Sequence, residues 1–194
     1  ILQPFSDALK LFNKNLISSE MMNYILSYII PAMSLFTMML IIPIINFNLY
    51  SQYDNKHNML LFFIISSMSV YWILLIGWSS NSKYSNLGAI RSIAQMISYE
   101  VSFFLIILYF SIMAYSYSFY NISNSQTMLH FFWGNFPLFI MWMMSCLAET
   151  NRSPFDFAEG ESELVSGFNV EYMGGWFALI FLAEYMSMII LMMI

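Results

Sequence analysis

Charged side chains are scarce in this sequence. Of its 194 residues only 9% are Asp, Glu, Lys or Arg, whereas 60% are hydrophobic and 19% are aromatic. A soluble globular domain carries about 25% charged residues, so the composition excludes that class. The 6 basic residues of the chain are also too few for a surface that binds phosphates, which excludes nucleic acid as a partner.

Cysteine and histidine are nearly absent. The single cysteine, Cys146, excludes an internal disulfide and a thiolate cluster site. The two histidines, His57 and His130, fall in predicted loops, so neither a bis-histidine haem nor a histidine-rich metal site is expected. We therefore expect no redox centre, bound metal or covalently bound cofactor in this chain. Any electrons that it helps to transfer must come from elsewhere.

The sequence contains five long apolar stretches. Each is long enough, or nearly so, to cross the ~30 Å hydrocarbon core of a bilayer as an α-helix. None alternates with the period of two that a membrane-spanning strand requires. We predict an all-α membrane protein with a single transmembrane domain over residues 1–194. The five predicted helices lie at about 24–45, 59–79, 89–119, 131–148 and 172–194.

Residues 1–20 are too short and too polar to span a membrane. As a helix, this segment places Phe5, Leu9, Phe12 and Leu16 on one stripe, with its charged residues away from that stripe. The pattern predicts an amphipathic helix that lies at the membrane interface. A helix that packs against the rest of the chain fits the same pattern.

Basic residues predict how the chain is oriented. With five crossings, the N-terminal segment, the connection at 80–88 and the loop at 149–171 share one side of the membrane, here called side A. Side A carries five basic residues and the opposite side, side B, carries one. Those on side A are Lys10, Lys14, Lys83, Arg91 and Arg152, and the one on side B is Lys56. This asymmetry predicts that side A faces the cytoplasm or, in an organelle, the matrix.

The loop at 149–171 is acidic, but it also carries several large apolar residues. Within it, Ser153, Pro154 and Asp156 are spaced as at the start of a helix, which we expect to end near Gly160. The interleaved apolar residues predict that the loop folds against its own helices or against a partner. Its acidic residues are Glu149, Asp156, Glu159, Glu161, Glu163 and Glu171.

Carboxylates inside apolar segments are the strongest functional signal. Glu100 and Glu184 lie well inside predicted helices, and Glu149 lies at the end of the predicted helix at 131–148. Burial of an unpaired charge is costly and must be compensated. Glu100 faces away from Arg91 on its helix, because nine residues at about 100° each place them on opposite faces. Each glutamate alone fits a structural hydrogen bond between helices equally well, but the three together indicate a polar path for protons.

Four stretches of the sequence resemble one known family. AETNRSPFDFAEGESELVSGFNVEY resembles the signature loop of subunit 1 of respiratory complex I, a membrane subunit of mitochondrial NADH:ubiquinone oxidoreductase that has a bacterial counterpart. LQPFSDALKLF, GWSSNSKYSNLGAIRSIAQMISYEV and FLAEYMSMI resemble other characteristic stretches of that family, in the same order. The resemblance covers nearly the whole chain.

The resemblance implies a core subunit of a proton-pumping complex in the mitochondrial inner membrane, with the N-terminal segment and the acidic loop facing the matrix. Ubiquinone is the implied substrate, and FMN and iron–sulfur clusters belong to partner subunits. The implied partners are lipid, neighbouring membrane subunits and two peripheral subunits at the terminal iron–sulfur cluster. The residues implied at the ubiquinone tunnel are Gln3, Phe5, Asp7, Lys10, Arg152, Phe155 and Asp156. Those implied in the proton path are Glu100, Glu149, Asp156, Glu159, Glu161, Glu163 and Glu184, with Arg91 nearby.

The sequence departs from this family at both ends. Family members have an earlier transmembrane helix followed by a Gly/Pro-rich basic loop, and two further helices after the position of Ile194. We expect either a split gene, in which another polypeptide supplies these helices, or an incomplete sequence. The tunnel wall formed by this chain is then partial, so the chain should not function alone.

Two other functions stay open on the sequence. A membrane subunit of a related hydrogenase-type complex would share the carboxylate path without the quinone. A free-standing proton or cation transporter is the other alternative. The lack of an internal inverted repeat argues against a transporter, as does a loop that is expected to dock on a partner.

Overall fold

The computed structural model describes residues 3–16, 19–45, 55–127, 130–158, 160 and 164–193, apart from the side chain of Pro4. Within those residues all regular structure is helical, which confirms the predicted all-α fold. Two short 3-10 turns lie at Ile42–Ile44 and Gly167–Asn169. The α-helices are α1 (Gln3–Asn13), α2 (Tyr24–Ile41), α3 (Asn58–Ser79), α4 (Lys83–Ala114), α5 (Phe119–Ser125), α6 (Phe131–Gly134), α7 (Phe136–Glu149) and α8 (Gly174–Met193).

Four of these helices are long and apolar enough to cross a membrane. They are α2 with its 3-10 extension, α3, α4 and α8. Serine and threonine hydroxyls inside the spans bond to carbonyl oxygens of the preceding turn, as Ser34 does to Pro31 at 2.8 Å and Ser92 does to Ala89 at 2.8 Å. Such bonds allow polar side chains to lie in apolar surroundings without an unpaired group.

The predicted helix at 89–119 has the wrong bounds. α4 begins six residues earlier, at Lys83, because the Ser82 hydroxyl accepts a hydrogen bond from the backbone N–H of Ser85 and caps the helix. It ends at Ala114, because Tyr115 adopts a left-handed conformation with φ 52°. A separate short helix, α5, follows after Ser118.

The predicted helix at 131–148 is interrupted. A continuous helix would place the ring of Pro137 against the carbonyl of Trp133, one turn earlier. The chain instead breaks at Asn135, and Pro137 lies in the first turn of α7, where it needs no N–H partner. The 14 residues of α7 span about 21 Å, which is less than the ~30 Å hydrocarbon core. α7 alone is therefore too short to cross that core.

The helix predicted to start at Ser153 is also wrong. Residues 151–158 form turns, in which Asn151 has φ 50° and the N–H of Phe155 donates to the carbonyl of Arg152 at 2.7 Å. Tertiary packing explains these turns, because the Phe155 ring contacts Tyr99 of α4 and Ala158 is buried in the core. Burial of these side chains outweighs the local preference for a helix start.

Two clusters of buried apolar side chains hold the helices together. One joins α2, α3, α4 and α8 around Phe62 and Phe103. The other joins Ile76 of α3 and Ile180 of α8 to Phe168 of the acidic loop, which is 1% exposed. The acidic loop therefore folds against its own helices, one of the two arrangements that its sequence predicts.

A buried hydrogen bond fixes the end of the acidic loop. The hydroxyl of Tyr172 lies 2.6 Å from that of Ser79, at the end of α3, and both side chains are buried. Burial raises the pKa of the Tyr172 phenol above its ordinary value, and the hydrogen bond with Ser79 opposes that rise. The phenol is therefore neutral at physiological pH and joins the loop to α3 without adding a charge.

The N-terminal segment forms the predicted helix. α1 packs on the first turn of α8, where Gly174 and Gly175 allow Leu11, Lys14 and their neighbours to approach closely. The Phe5 and Leu9 side chains are 70% and 67% exposed. The Phe12 and Leu16 end of the apolar stripe lies against Gly175, whereas its Phe5 and Leu9 end is left uncovered. The place of α1 at the membrane interface stays a prediction.

Candidate functional site

A cavity of about 80 Å³ lies between α2, α3, α4 and α8, and the end of α7 forms part of its wall. Most of its lining is apolar, with side chains such as Met38, Phe103 and Ile180. Polar and acidic side chains line the rest. They are Ser34, Ser66, Ser69, Trp72, Glu149, Thr150, Asn151, Glu184 and Ser187. We call this space the polar cavity.

Two of the three glutamates singled out by the sequence line the polar cavity. Glu149 reaches it from the last residue of α7, and Glu184 reaches it from the middle of α8. These residues are 35 positions apart in the chain, and the fold brings them to one space. The serine that follows Glu184 by one turn, Ser187, lines the same wall and donates its hydroxyl to the carbonyl of Glu184 at 2.7 Å.

Three buried polar atoms of cavity residues have no hydrogen-bond partner among the described residues. They are Oε2 of Glu149, Nε1 of Trp72 and Oδ1 of Asn151. A single water molecule needs about 10–15 Å³ of such space and two or more polar partners. The cavity therefore has both the room and the polar groups for several hydrogen-bonded water molecules. A chain of water between carboxylates can move protons, whereas a dry apolar space cannot.

Glu100 lies next to this cavity rather than in its wall. It is half-buried on α4, and it is close enough to Glu149 for the two carboxylates to repel each other. Arg91 is exposed on the same continuous helix, two and a half turns before Glu100. The helical geometry keeps the two side chains on opposite faces, as the sequence predicts. Arg91 is not among the residues that line the cavity.

Hydrogen bonds between α4 and the end of α7 hold Glu149 in place. The Gln95 side chain donates to the carbonyl of Ala148 at 2.7 Å, and Asn151 donates to the Met96 sulfur at 3.7 Å. Because Ala148 immediately precedes Glu149, Gln95 fixes the turn of α7 that points the carboxylate at the cavity. Gln95 is therefore a positioning residue for Glu149.

Several cavity residues are not predicted from the sequence. Ser66, Ser69 and Trp72 all lie on α3 and all line the cavity. Their spacing of three residues places them on one helix face, a signal that is readable in the sequence. What the sequence does not show is that this face turns towards two glutamates.

Two of the predicted tunnel residues lie just outside the cavity. The Arg152 guanidinium sits 5.4 Å from the ring centre of Tyr185, and its Nε donates to the sulfur of Met188 at 3.1 Å. Tyr185 directly follows the cavity residue Glu184. Phe155 packs edge-on against Tyr99, one residue before Glu100, at 5.4 Å between ring centres. Asp156 is half-buried beside Phe155.

The tunnel residues predicted on α1 lie elsewhere. Gln3 and Asp7 form a hydrogen bond of 3.4 Å on the exposed surface, and Phe5 and Lys10 are exposed. α1 packs on Gly174, about 16 Å along α8 from Tyr185 at 1.5 Å per residue. None of the described cavity residues comes from α1. The predicted proton-path residues Glu159, Glu161 and Glu163 lie outside the described residues.

Comparison with known proteins identifies relatives along the whole chain. A family model described as NADH dehydrogenase matches residues 1–194. NADH-ubiquinone oxidoreductase chain 1 of Aedes aegypti is 51% identical over 194 residues, which is 100% of this chain and 62% of that relative. The protein of the same name in Anopheles gambiae is 50% identical with the same coverage, and that of Heterololigo bleekeri is 47% identical over 94% of this chain and 58% of the relative. The chain thus spans about three fifths of the length of these relatives.

Proposed function

The chain belongs to the NADH dehydrogenase family, and from that premise we propose that it forms part of a membrane subunit of a proton-translocating NADH:ubiquinone oxidoreductase. The four apolar spans and the animal relatives support a place in the mitochondrial inner membrane. The basic residues of side A support a matrix-facing acidic loop. The family match favours this function over a free-standing transporter.

The observation that carries the proposal is the shared cavity of Glu149 and Glu184. Two carboxylates in a poorly solvated space repel each other when both are charged, which favours a state in which one of them holds a proton. Hydrogen-bonded water between them would let that proton pass from one to the other. A proton path then runs from Glu100 to its neighbour Glu149 and through the polar cavity to Glu184. Trp72, Asn151 and the serines of α3 would hold the intervening water.

The quinone would meet this chain on side A. Arg152 and Phe155 border the polar cavity from outside, and α1 lies about 16 Å away along α8. We assign these two groups to separate stretches of one tunnel wall, in which apolar side chains contact the isoprenoid tail. A charge change at the tunnel end near Arg152 would act electrostatically on the nearby carboxyl groups of Glu100 and Glu149. Ubiquinone is then the substrate, and FMN and the iron–sulfur clusters belong to peripheral partner subunits.

A complete tunnel needs further polypeptide. The relatives are longer than this chain, so we propose that the helices absent from the present sequence complete the tunnel wall. Neighbouring membrane subunits would receive the protons that leave Glu184. The peripheral partner subunits would bind on the matrix side, where the acidic loop and α1 lie.

Glutamine substitutions test the proposed path. In the assembled complex, Glu149→Gln and Glu184→Gln should each lower NADH-driven proton pumping by at least about tenfold, because the amide has nearly the same shape but cannot relay a proton. Reconstitution in liposomes allows proton uptake and quinone reduction to be measured together. The amount of assembled complex should stay close to that of the parent protein, since neither substitution changes side-chain volume.

Glu20→Gln is the matched control. Glu20 is exposed between α1 and α2 and does not line the polar cavity, so pumping should be unchanged. Parental rates of pumping and quinone reduction in both cavity variants would contradict the proposed path. An equal loss in Glu20→Gln would show a general effect of lost charge on side A.

A further inference from the structure

A second cavity, of about 290 Å³, lies beyond the polar cavity. It is formed by the end of α4, by α5 and α6, and by the first half of α7. Most of its lining is aromatic, with Phe110 and Phe131 stacked at 6.0 Å between ring centres. We call this space the aromatic cavity. Because α5 and α6 lie in the connection between α4 and α7, the aromatic cavity lies towards side B, whereas Glu149 reaches the polar cavity from side A.

Four aromatic rings separate the two cavities. Phe62 and Phe103 line the polar cavity, whereas Phe119 and Trp142 line the aromatic cavity. Phe103 stacks on Trp142 with 4.7 Å between ring centres and 16° between ring planes. Phe62 packs edge-on against Phe119 at 6.4 Å. We call these four side chains the aromatic wall, and across each pair it is only two rings thick.

The aromatic wall is closed at its sides by apolar packing. Phe62 and Phe103 are 1% and 2% exposed and contact each other at 6.4 Å between ring centres. Phe63 fills the angle between them, with its ring 5.5 Å from Phe62 and 5.7 Å from Phe103. Phe63 and the four rings of the wall carry no group that accepts a proton. A hydrated proton that enters the wall would therefore lose its water without gaining a polar partner.

We propose that the aromatic wall is the barrier that prevents protons in the polar cavity from crossing directly to side B. This role rests on the proposed function, because a barrier has a task only beside a proton path. A path that ends at Glu184 must deliver its protons to the partner that pumps them. An opening towards side B would instead dissipate the gradient through this chain. Among the described residues, lining residues of the two cavities contact each other at the Phe62–Phe119 and Phe103–Trp142 pairs. The aromatic wall fills the space between the cavities at these pairs.

Passive proton permeability tests the wall. The complex is reconstituted in liposomes without NADH, a pH gradient is imposed, and its decay is followed with a pH-sensitive dye. Phe103→Ala leaves the wall one ring thick at the Phe103–Trp142 pair and opens space for water beside Trp142, so we expect proton leak to rise at least about tenfold. Phe103→Leu fills much of the same space with apolar atoms and should leak at the parental rate. Trp142→Ala opens the wall from the other cavity and replaces Phe103→Ala if that variant does not assemble.

Phe132→Ala is the matched control for lost aromatic volume. Phe132 lines the aromatic cavity but packs against Trp133, Phe136 and Phe139, so its loss should leave the leak unchanged. A leak in assembled Phe103→Ala or Trp142→Ala no greater than in the parent would overturn the barrier. A leak of equal size in Phe132→Ala would also overturn it, because the effect would not depend on the wall.

Adding Glu149→Gln to Phe103→Ala separates the barrier from the proposed proton path. If both hold, the double variant should lose most of the leak, because protons no longer reach the opened wall through the polar cavity. A leak that persists undiminished would support the wall and contradict the carboxylate path. Loss of pumping in Glu149→Gln with no leak in Phe103→Ala would contradict the wall alone.

Discussion

Gly77→Ala should force α3 and α4 apart. A Cβ on Gly77 would overlap the Cβ of Ala89 and lie 3.2 Å from the carbonyl oxygen of Ser85. Small residues at such crossings allow helix backbones to approach closely in membranes. Inserting a methyl group into a packed contact of this kind costs about 1–3 kcal/mol. Because α3 carries Trp72 and α4 carries Met96 of the polar cavity, the cavity should widen as well.

The overlap is between the methyl groups of residues 77 and 89, so removing the methyl group of Ala89 relieves it. Gly77→Ala combined with Ala89→Gly moves the methyl group from α4 to α3 and should restore part of the lost stability, because only the contact with the Ser85 carbonyl stays short. The measurement is the thermal inactivation temperature of the assembled complex for the parent, the two single variants and the pair. Gly134→Ala is the control, since nothing lies within 4 Å of a Cβ on Gly134. A pair no more stable than Gly77→Ala alone would show that the crossing is not limited by this contact.

Gly88→Ala should displace the acidic loop. A Cβ on Gly88 would lie 2.9 Å from the backbone nitrogen of Phe168 and 3.0 Å from the Cα and carbonyl carbon of Gly167. These are backbone atoms, and Gly167 has φ 60°, so the turn cannot yield by a change of side-chain rotamer. The Ser85 hydroxyl, which donates to the carbonyl of Phe168 at 2.9 Å, would lose its partner as the turn moves. We expect a loss of about 3 kcal/mol from overpacking and the broken hydrogen bond together.

No compensating substitution exists for Gly88→Ala, which distinguishes it from Gly77→Ala. Limited proteolysis of the complex should show faster cleavage within residues 150–171, together with less assembled complex on native gels. Ser85→Ala removes the hydrogen bond without the steric overlap and should have a smaller effect. Parental protection of the loop in Gly88→Ala would contradict the close contact between α4 and the Gly167–Asn169 turn.

The apolar spans and the buried acids can be predicted from the sequence because both depend on local composition. α3 and α8 lie close to their predicted positions, since no proline interrupts either apolar stretch. Glu100 and Glu184 stand out because a carboxylate is costly in an apolar helix. The start of α4 is predicted wrongly at residue 89, although Ser82 is a favourable N-cap immediately before Lys83.

The shared cavity cannot be predicted from the sequence because it depends on where α7 ends in space. The packing of α7 against α4 and of α8 against α2 places Glu149 and Glu184 in one space, and neither contact is visible in the sequence. The turn at Arg152–Phe155 has the sequence pattern of a helix start, and the ring contact with Tyr99 that overrides it is invisible in a linear pattern. The aromatic wall likewise joins α3, α4, α5 and α7, and no spacing along one helix reveals such a contact.

The central claim is that Glu149 and Glu184 serve one proton path, and a double variant tests it most directly. Pumping by the reconstituted complex is measured for Glu149→Gln, Glu184→Gln and the two combined. If both glutamates serve the same path, blocking that path at a second point should lower pumping no further than the more impaired single variant. The double variant should then retain about a tenth of parental pumping. Independent roles would multiply the losses and leave about a hundredth. Equal rates in the double variant and the worse single variant would support one path through the polar cavity, and a multiplied loss would contradict it.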